Sequence, residues 1–221
     1  MTEPVLERPT PAVVTGPLLI GGPAPRFSTR TTMGERSLDD YRGRWLVFFS
    51  HPADFTPVCT SEFVAFSRAY DRFQALGCDL LALSVDSLFS HIAWVRSIRE
   101  RFGVMVPFPI TEDPSMAIAA AYGMIHPNAA DSSTVRATFV IDPDGLIRAM
   151  VWYPMSTGRS VEEILRLVEA LQTSDREAVS TPEGWRHGDD VIELAPITVD
   201  ALTDSGPSVD TPDWYYRLRK L

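Results

Sequence analysis

Residues 45–60 read WLVFFSHPADFTPVCT and contain the passage from a strand to a helix. The apolar run Trp45–Ser50 is typical of a buried strand. After a short loop, Thr56-Pro57 favours a helix start, because threonine caps helices well and proline suits the first helical position. Apolar side chains then recur three or four residues apart, which predicts a helix with one buried face. These side chains are Phe63, Phe66, Tyr70 and Phe73.

The rest of the chain alternates between short apolar runs and helical patterns. Strands are predicted over Leu80–Val85, Ala137–Ile141 and Leu146–Tyr153, the last two joined by the turn Pro143-Asp144-Gly145. Helices are predicted from a Ser90 cap to Phe102 with Gly103 as the stop, over Pro114–Tyr122, and behind Ser160. This order predicts the α/β class: a thioredoxin-like fold with a mixed sheet flanked by helices, plus a smaller C-terminal extension.

Composition changes divide the chain into three parts. Residues 1–17 are rich in proline and predict a flexible N-terminal arm, residues 18–172 form the thioredoxin-like domain, and residues 173–221 form a C-terminal extension. The extension is polar, with little sign of a core of its own. Large aromatic side chains in a polar segment are typical interface anchors, so we expect it to mediate dimerisation. They are Trp185, Trp214, Tyr215 and Tyr216.

The charge of the chain excludes two classes of partner. The formal net charge is −9, which argues against nucleic acid and against anionic membrane surfaces, because both attract basic chains. No apolar stretch approaches the roughly 20 residues of a membrane span, and the N-terminus has no signal-peptide pattern. We therefore expect a cytoplasmic protein.

Cys59 stands at the third position of the helix that Thr56-Pro57 begins. Backbone N–H groups and the helix dipole favour a negative charge there, so the sequence predicts a reactive thiolate. The Thr56 hydroxyl could donate a hydrogen bond to the sulfur or to a substrate oxygen, and His51 and Pro52 could form a wall of the pocket. The alternative is a buried structural thiol, since free cysteine is often a small core residue.

Charged residues elsewhere could complete such a site. Arg136 precedes a predicted strand and, being permanently charged, could stabilise a thiolate, unless it simply points into water. Glu62 could pair with Arg159 to support the site, although exposed helix charges are usually solvated. Cys78 starts a strand in surroundings with no positive field, which favours a structural role.

The sequence predicts no metal and no cofactor. The four histidines, His51, His91, His126 and His187, lie far apart without metal-ligand spacing, and there is no CxxC motif. No glycine-rich loop precedes a helix in the manner of a phosphate site.

The run 49–60, FSHPADFTPVCT, resembles the active-site signature of the peroxiredoxins, and its SHP start resembles their one-cysteine, peroxiredoxin-six-like branch. That branch belongs to the alkyl hydroperoxide reductase/thiol-specific antioxidant family. The resemblance spans roughly Leu18 to Ile197. Further matches are Leu83–Ser87, Pro107–Ile110, Val135–Ala137, Tyr153-Pro154, Thr157–Arg159, Thr181-Pro182 and Trp185.

The resemblance implies roles for the candidate residues. Cys59 would be the peroxidatic cysteine, Thr56 and Arg136 would bind and polarise a hydroperoxide, and Pro52 would shield the sulfur. Glu62 and Arg159 would support these side chains. An external thiol reductant such as thioredoxin or glutathione would recycle the enzyme, which would form a homodimer or a larger homo-oligomer.

Other functions remain compatible with the sequence. A thiol–disulfide oxidoreductase on the same fold would be expected to carry CxxC, which is absent. A peroxide-sensing or chaperone-like redox switch would also use Cys59, but it would be oxidised once rather than cycle. Cys78 is the remaining cysteine, and a straight helix would place it about 27 Å from Cys59, at about 1.5 Å per residue.

Overall fold

The computed structural model describes residues 16–125, 131–198 and 212–221. The helices are α1 Pro57–Ala75, α2 Leu88–Phe102, α3 Ala117–Ala121 and α4 Val161–Glu177. The first seven strands are β1 Ser28–Thr31, β2 Gly34–Ser37, β3 Trp45–Ser50, β4 Cys78–Ser84, β5 Ile110–Glu112, β6 Arg136–Ile141 and β7 Ile147–Tyr153. Three short strands follow: β8 Val179–Ser180, β9 Val191–Glu193 and β10 Leu218–Arg219.

The seven-stranded sheet is mixed and has the order β2-β1-β5-β4-β3-β6-β7. Strands β3, β4 and β5 are parallel, whereas β6 is antiparallel to β3 and to β7. All six residues of β3 are buried, which explains why this strand is continuously apolar rather than alternating. The predicted thioredoxin-like fold with a mixed sheet flanked by helices is therefore confirmed.

Helix α1 begins at Pro57 with Thr56 at the N-cap, as predicted, so Cys59 occupies the third helical position. The apolar face of the helix is fixed against β3 by aromatic packing. The ring of Phe49 stacks on Phe66 with centroids 4.3 Å apart and lies 5.8 Å from Phe63. The start of α1 is therefore held at the carboxyl end of β3.

Two other helices begin later or earlier than predicted. Helix α2 starts at Leu88, and its cap is Ser87, whose hydroxyl accepts the Ser90 N–H; the prediction of a Ser90 cap was wrong. Gly103 ends this helix in the left-handed conformation, as predicted. Helix α3 covers only Ala117–Ala121, because the preceding residues form a turn.

Strands β1, β2 and β5 were not predicted. Their segments STRT, GERS and ITE are short and mostly polar, so neither apolar alternation nor an apolar run marks them. They form because the sheet edge beside β4 offers unpaired backbone groups. Backbone pairing with a neighbouring strand holds each of them, and the three residues of β5 are in addition buried.

The chain divides into two compact units, residues 1–161 and 162–221. The predicted boundary between residues 172 and 173 lies inside α4. The second unit contains the sheet β10-β9-β8 and a small apolar cluster of Ala170, Val179, Trp185 and Val191. The expectation of little core there was wrong, and Trp185, which is 1% exposed, belongs to that core.

Most of the predicted N-terminal arm, residues 1–17, lies outside the described residues, as does His126. Within the part of the chain that the structure describes, no helix combines the length and the apolar character needed to cross a membrane.

Candidate active site

The Cys59 sulfur lies where three parts of the first unit meet. The helix start places it at the end of β3, and the antiparallel pairing of β3 with β6 brings Arg136, the first residue of β6, to the same end of the sheet. The Arg136 Nη1 atom donates to Cys59 Sγ over 3.3 Å. Cys59 is fully buried, so a positive charge and a sulfur face each other away from solvent.

Arg136 is itself fixed on both sides. Its Nε and Nη2 atoms donate to the carbonyl oxygen of Met155 over 3.0 and 2.8 Å, and its Nη1 donates to Glu62 Oε2 over 2.9 Å. The side chain is only 3% exposed, so the alternative of a solvated surface arginine does not apply. Because guanidinium does not lose its proton, the charge beside the sulfur is permanent.

Glu62 connects the two arginines of the site. Its carboxylate accepts from Arg159 Nε over 2.9 Å, Arg159 Nη2 over 2.8 Å and the Arg159 backbone N–H over 2.7 Å. Burial by itself would raise the pKa of Glu62, but hydrogen bonds and charge from Arg159, with charge from Arg136, hold the pKa below its ordinary value. The predicted Glu62–Arg159 pair is present, and both side chains are buried.

Thr56 has a different role from the one expected for its hydroxyl. It occupies the N-cap position, but its side chain makes no capping bond and donates instead to the Ala53 carbonyl over 2.9 Å. This bond closes the loop before α1 and uses the one proton of the hydroxyl. The oxygen can still accept a hydrogen bond, whereas donation to a substrate requires the bond to Ala53 to break.

His51 and Pro52 are both buried in the loop between β3 and α1. The His51 ring packs on Phe63 with centroids 4.9 Å apart, and its Nε2 lies 2.9 Å from Asp54 Oδ1. Its Nδ1 has no hydrogen-bond partner among the described residues, so the ring is not bonded to the sulfur. Burial lowers the pKa of His51, which favours the neutral ring.

The fold brings together two histidines that the sequence separates by 40 positions. His51 and His91 both contact Asp54, and these three buried residues could in principle hold a metal ion. Sequence spacing missed the group because His91 is on α2, which only the tertiary fold places beside the loop. His187 lies elsewhere, exposed and paired with Glu169.

Cys78 is the first residue of β4 and is fully buried. Burial, with a further contribution from Asp79, raises the pKa of its thiol to about 12. A thiol in this state is a poor nucleophile, which agrees with the predicted structural role. Helix α1 separates it from Cys59: the sixteen residue-to-residue steps from Cys59 to Ala75 span about 24 Å at about 1.5 Å each.

Comparison with known proteins identifies the family. The model of the AhpC/TSA family matches residues 20–150, and that of the C-terminal domain of 1-Cys peroxiredoxin matches residues 170–204. The peroxiredoxin of Aquifex aeolicus is 49% identical over 214 residues, covering 91% of this chain and 96% of its own length.

Two solved structures have the same fold. A yeast mitochondrial 1-Cys peroxiredoxin, described in terms of a thiol resolving mechanism via glutathione/thioredoxin systems, superposes with a TM-score of 0.82 at 38% identity and covers 92% of this chain and 100% of its own. Peroxiredoxin 6 of Arenicola marina gives a TM-score of 0.77 at 33% identity, covering 83% of this chain and 86% of its own.

A chain with these matches is an oxidoreductase of the thiol-dependent peroxidase class. It belongs to the AhpC/TSA family and, within that family, to the one-cysteine peroxiredoxins. The predicted family is therefore confirmed. The sequence did not predict the contribution of the Met155 carbonyl, because a backbone acceptor leaves no mark on residue type. It also did not predict the contact between Asp54 and His91, which only the tertiary fold brings together.

Proposed function

We propose that Cys59 is the peroxidatic nucleophile and that an external thiol recycles it. The observation that carries this proposal is the hydrogen bond of 3.3 Å between Arg136 Nη1 and Cys59 Sγ at the third position of α1. The guanidinium and the backbone N–H groups of the helix start together stabilise the thiolate.

In the first step, the Cys59 thiolate attacks one oxygen of the hydroperoxide. The S–O bond forms as the O–O bond breaks, the sulfur loses two electrons, and the distal oxygen leaves as an alkoxide or hydroxide that takes a proton from water. Negative charge moves from sulfur to oxygen, so the fixed Arg136 is most effective in the transition state. The product is Cys59 sulfenic acid.

In the second step, an external thiol attacks the sulfenic sulfur. Water leaves and a mixed disulfide forms. A second thiol then displaces Cys59, producing a disulfide of the reductant and restoring the Cys59 thiolate. The yeast relative resolves its thiol via glutathione/thioredoxin systems, so these two classes of reductant are the first to test on this chain.

Turnover assays test both steps. Peroxide consumption is measured with thioredoxin, glutathione or dithiothreitol for wild type, Cys59→Ser and Cys78→Ser. We expect repeated turnover by wild type and nearly full turnover by Cys78→Ser, but none by Cys59→Ser. A peroxide sensor or redox switch would consume one equivalent of peroxide and stop with every reductant, which would contradict the proposal.

A further inference from the structure

A chain of three buried side chains ties the loop in front of Cys59 to helix α2. His51 Nε2 lies 2.9 Å from Asp54 Oδ1, and His91 Nδ1 lies 2.8 Å from Asp54 Oδ2. The side chains of His51, Asp54 and His91 are at most 1% exposed. The two oxygens of one carboxylate therefore join the loop to His91, which is 37 positions from Asp54 in the chain.

The ring nitrogens favour this hydrogen-bonded arrangement over a metal centre. A histidine that binds a metal through one nitrogen usually donates its other N–H to an acceptor. The outer nitrogens, His51 Nδ1 and His91 Nε2, have no hydrogen-bond partner within the described ranges. If each ring instead donates its proton to Asp54, the outer nitrogens are bare and leave no buried N–H unsatisfied. Asp54 is then an ionised acceptor between two imidazole donors.

The charge states agree with this assignment. Burial by itself would raise the pKa of Asp54, but the hydrogen bonds from His51 and His91 outweigh burial and lower the pKa. Burial also lowers the pKa of His51. Hydrogen bonds to an ionised carboxylate are charge-assisted, which makes these two bonds stronger than bonds between neutral groups.

The loop requires such a restraint. Phe55, next to Asp54, has a φ of +56°, which places a bulky side chain in the left-handed region. Residues in that region persist only when their surroundings hold them there. The Phe55 side chain is 58% exposed and contributes little of this restraint. The Asp54 backbone N–H also donates to Asp86 Oδ2 over 2.9 Å, so the restraint acts through Asp54.

Helix α2 also contacts Thr60, the residue that follows Cys59 in the chain. One turn after His91, the Trp94 ring stacks on His51 with centroids 5.1 Å apart. Trp94 Nε1 donates to Thr60 Oγ1 over 3.3 Å, and that hydroxyl donates to the Thr56 carbonyl over 2.8 Å. The same helix face therefore contacts the loop before the nucleophile and the residue after it.

We propose that Asp54 and His91 are positioning residues of the peroxidase reaction, holding residues 51–56 closed over Cys59 in the geometry that receives a peroxide. The inference rests on the proposed function, since the loop carries Pro52 and Thr56. Neither Asp54 nor His91 needs to contact the substrate. A loosened loop misplaces the pocket but makes the buried sulfur easier for other reagents to reach.

Two rate constants distinguish this role from a structural one. The first is the reaction of Cys59 with hydrogen peroxide, which requires the whole pocket. The second is alkylation of Cys59 by iodoacetamide at the same pH, which requires only a thiolate and access. We expect His91→Leu to lower the peroxide rate constant by roughly tenfold to a hundredfold, as small misplacements do. It should raise the alkylation rate constant severalfold.

Two further variants serve as controls, the first for the loss of the hydrogen-bond donor and the second for a general loss of stability. His91→Asn retains an N–H donor at the place of Nδ1 and should restore most of the peroxide rate. Ile98→Ala removes a buried side chain from the same helix, two turns from His91, and should leave the ratio of the two rate constants unchanged. Circular dichroism verifies that each variant folds. If His91→Leu does not fold, Asp54→Asn takes its place in the test.

The possible outcomes are separable. An unchanged ratio in folded His91→Leu or Asp54→Asn would overturn the inference and leave the proposed function standing. A fall in both rate constants that Ile98→Ala reproduces would indicate a structural role only and would also overturn it. If wild-type Cys59 reacted with peroxide no faster than free cysteine, the proposed function itself would fail.

Discussion

At the scale of single residues, the fixed charge beside the sulfur makes Cys59 different from Cys78. Both thiols are buried, so burial alone does not separate them. Cys59 has a guanidinium within 3.3 Å and the N–H groups of a helix start, whereas Cys78 has Asp79 as its neighbour. We therefore expect the two thiols to differ in reactivity because of electrostatics rather than accessibility.

Arg136→Gln should slow the oxidation of Cys59 by tens to thousands of fold, equivalent to about 2–4 kcal/mol, because the variant lacks the charge that stabilises the transition state. Stopped-flow measurement of the peroxide rate constant tests this prediction, with circular dichroism to verify the fold. Arg96→Gln is the matched control, since that arginine is exposed on α2 and pairs with Glu100. An unchanged rate constant in Arg136→Gln would contradict the assigned role.

Glu62→Gln should destabilise the fold by about 3–5 kcal/mol at neutral pH, because it leaves two buried arginines without their carboxylate. Urea unfolding measures the loss. Glu100→Gln is the control, since its exposed ion pair with Arg96 should contribute little. If Glu62→Gln lost no more free energy of unfolding than Glu100→Gln, the buried ion pairs of Glu62 would not be what stabilises the site.

The pKa of Glu62 also predicts how the destabilisation by Glu62→Gln depends on pH. The pKa of Glu62 is depressed in the folded state below 4.5, so its contribution to stability is fully present above pH 4.5 and is lost as the pH falls through the folded-state pKa. The difference in free energy of unfolding between wild type and Glu62→Gln should therefore shrink below that pH. A difference that stayed constant or grew on acidification would contradict the linkage.

At the scale of the elements, helix α1 lies between the two cysteines, and the proposed one-cysteine cycle rests on that separation. A disulfide needs Cα atoms within about 7 Å, and the helix between Cys59 and Cys78 spans about 24 Å at about 1.5 Å per residue. In the proposed cycle, Cys78 does not reach Cys59 within the chain, and we expect the sulfenic acid to persist until an external thiol arrives.

Excess peroxide should therefore convert Cys59 to sulfinic and sulfonic acid. Mass spectrometry after a peroxide titration without reductant should find added oxygens on the Cys59 peptide, and Cys78→Ser should give the same pattern. A Cys59–Cys78 disulfide, within or between chains, would contradict the one-cysteine cycle.

Helix α1 could be predicted well from the sequence, because the residues that indicate it are close together in the chain. Thr56-Pro57 and the aromatic stripe of α1 depend on neighbours in the chain, and the structure confirms both. The contact of His91 with Asp54 could not be predicted, because it depends on how α2 packs beside the loop. The hydroxyl of Thr56 illustrates the same limit: the choice of Ala53 as its acceptor is set by a loop whose conformation no residue pattern specified.

At the scale of the whole molecule, the second unit carries the exposed aromatic side chains on which the expectation of assembly rests. Trp185 is used in the core of that unit, but Trp214, Tyr215 and Tyr216 are 50%, 57% and 38% exposed. Exposed aromatic side chains that lie next to each other are suited to an interface. We therefore expect a homodimer or a larger homo-oligomer.

Light scattering at micromolar concentration should detect this assembly, and the double variant Trp214→Ala/Tyr215→Ala should shift it toward smaller species. Phe102→Ala, which alters an exposed aromatic residue of the first unit, is the control and should leave the mass unchanged. A stable wild-type monomer would contradict the assigned role of the extension.

The central claim is that Cys59 is a peroxide-reactive thiolate activated by Arg136. Rapid-quench mass spectrometry with one equivalent of hydrogen peroxide tests it most directly. We expect one oxygen to be added to the Cys59 peptide and none to the Cys78 peptide. The rate constant should exceed that of free cysteine by a factor on the order of a hundred to a thousand or more. A Cys59 peptide that stays unmodified, or that reacts only as fast as free cysteine, would contradict the claim.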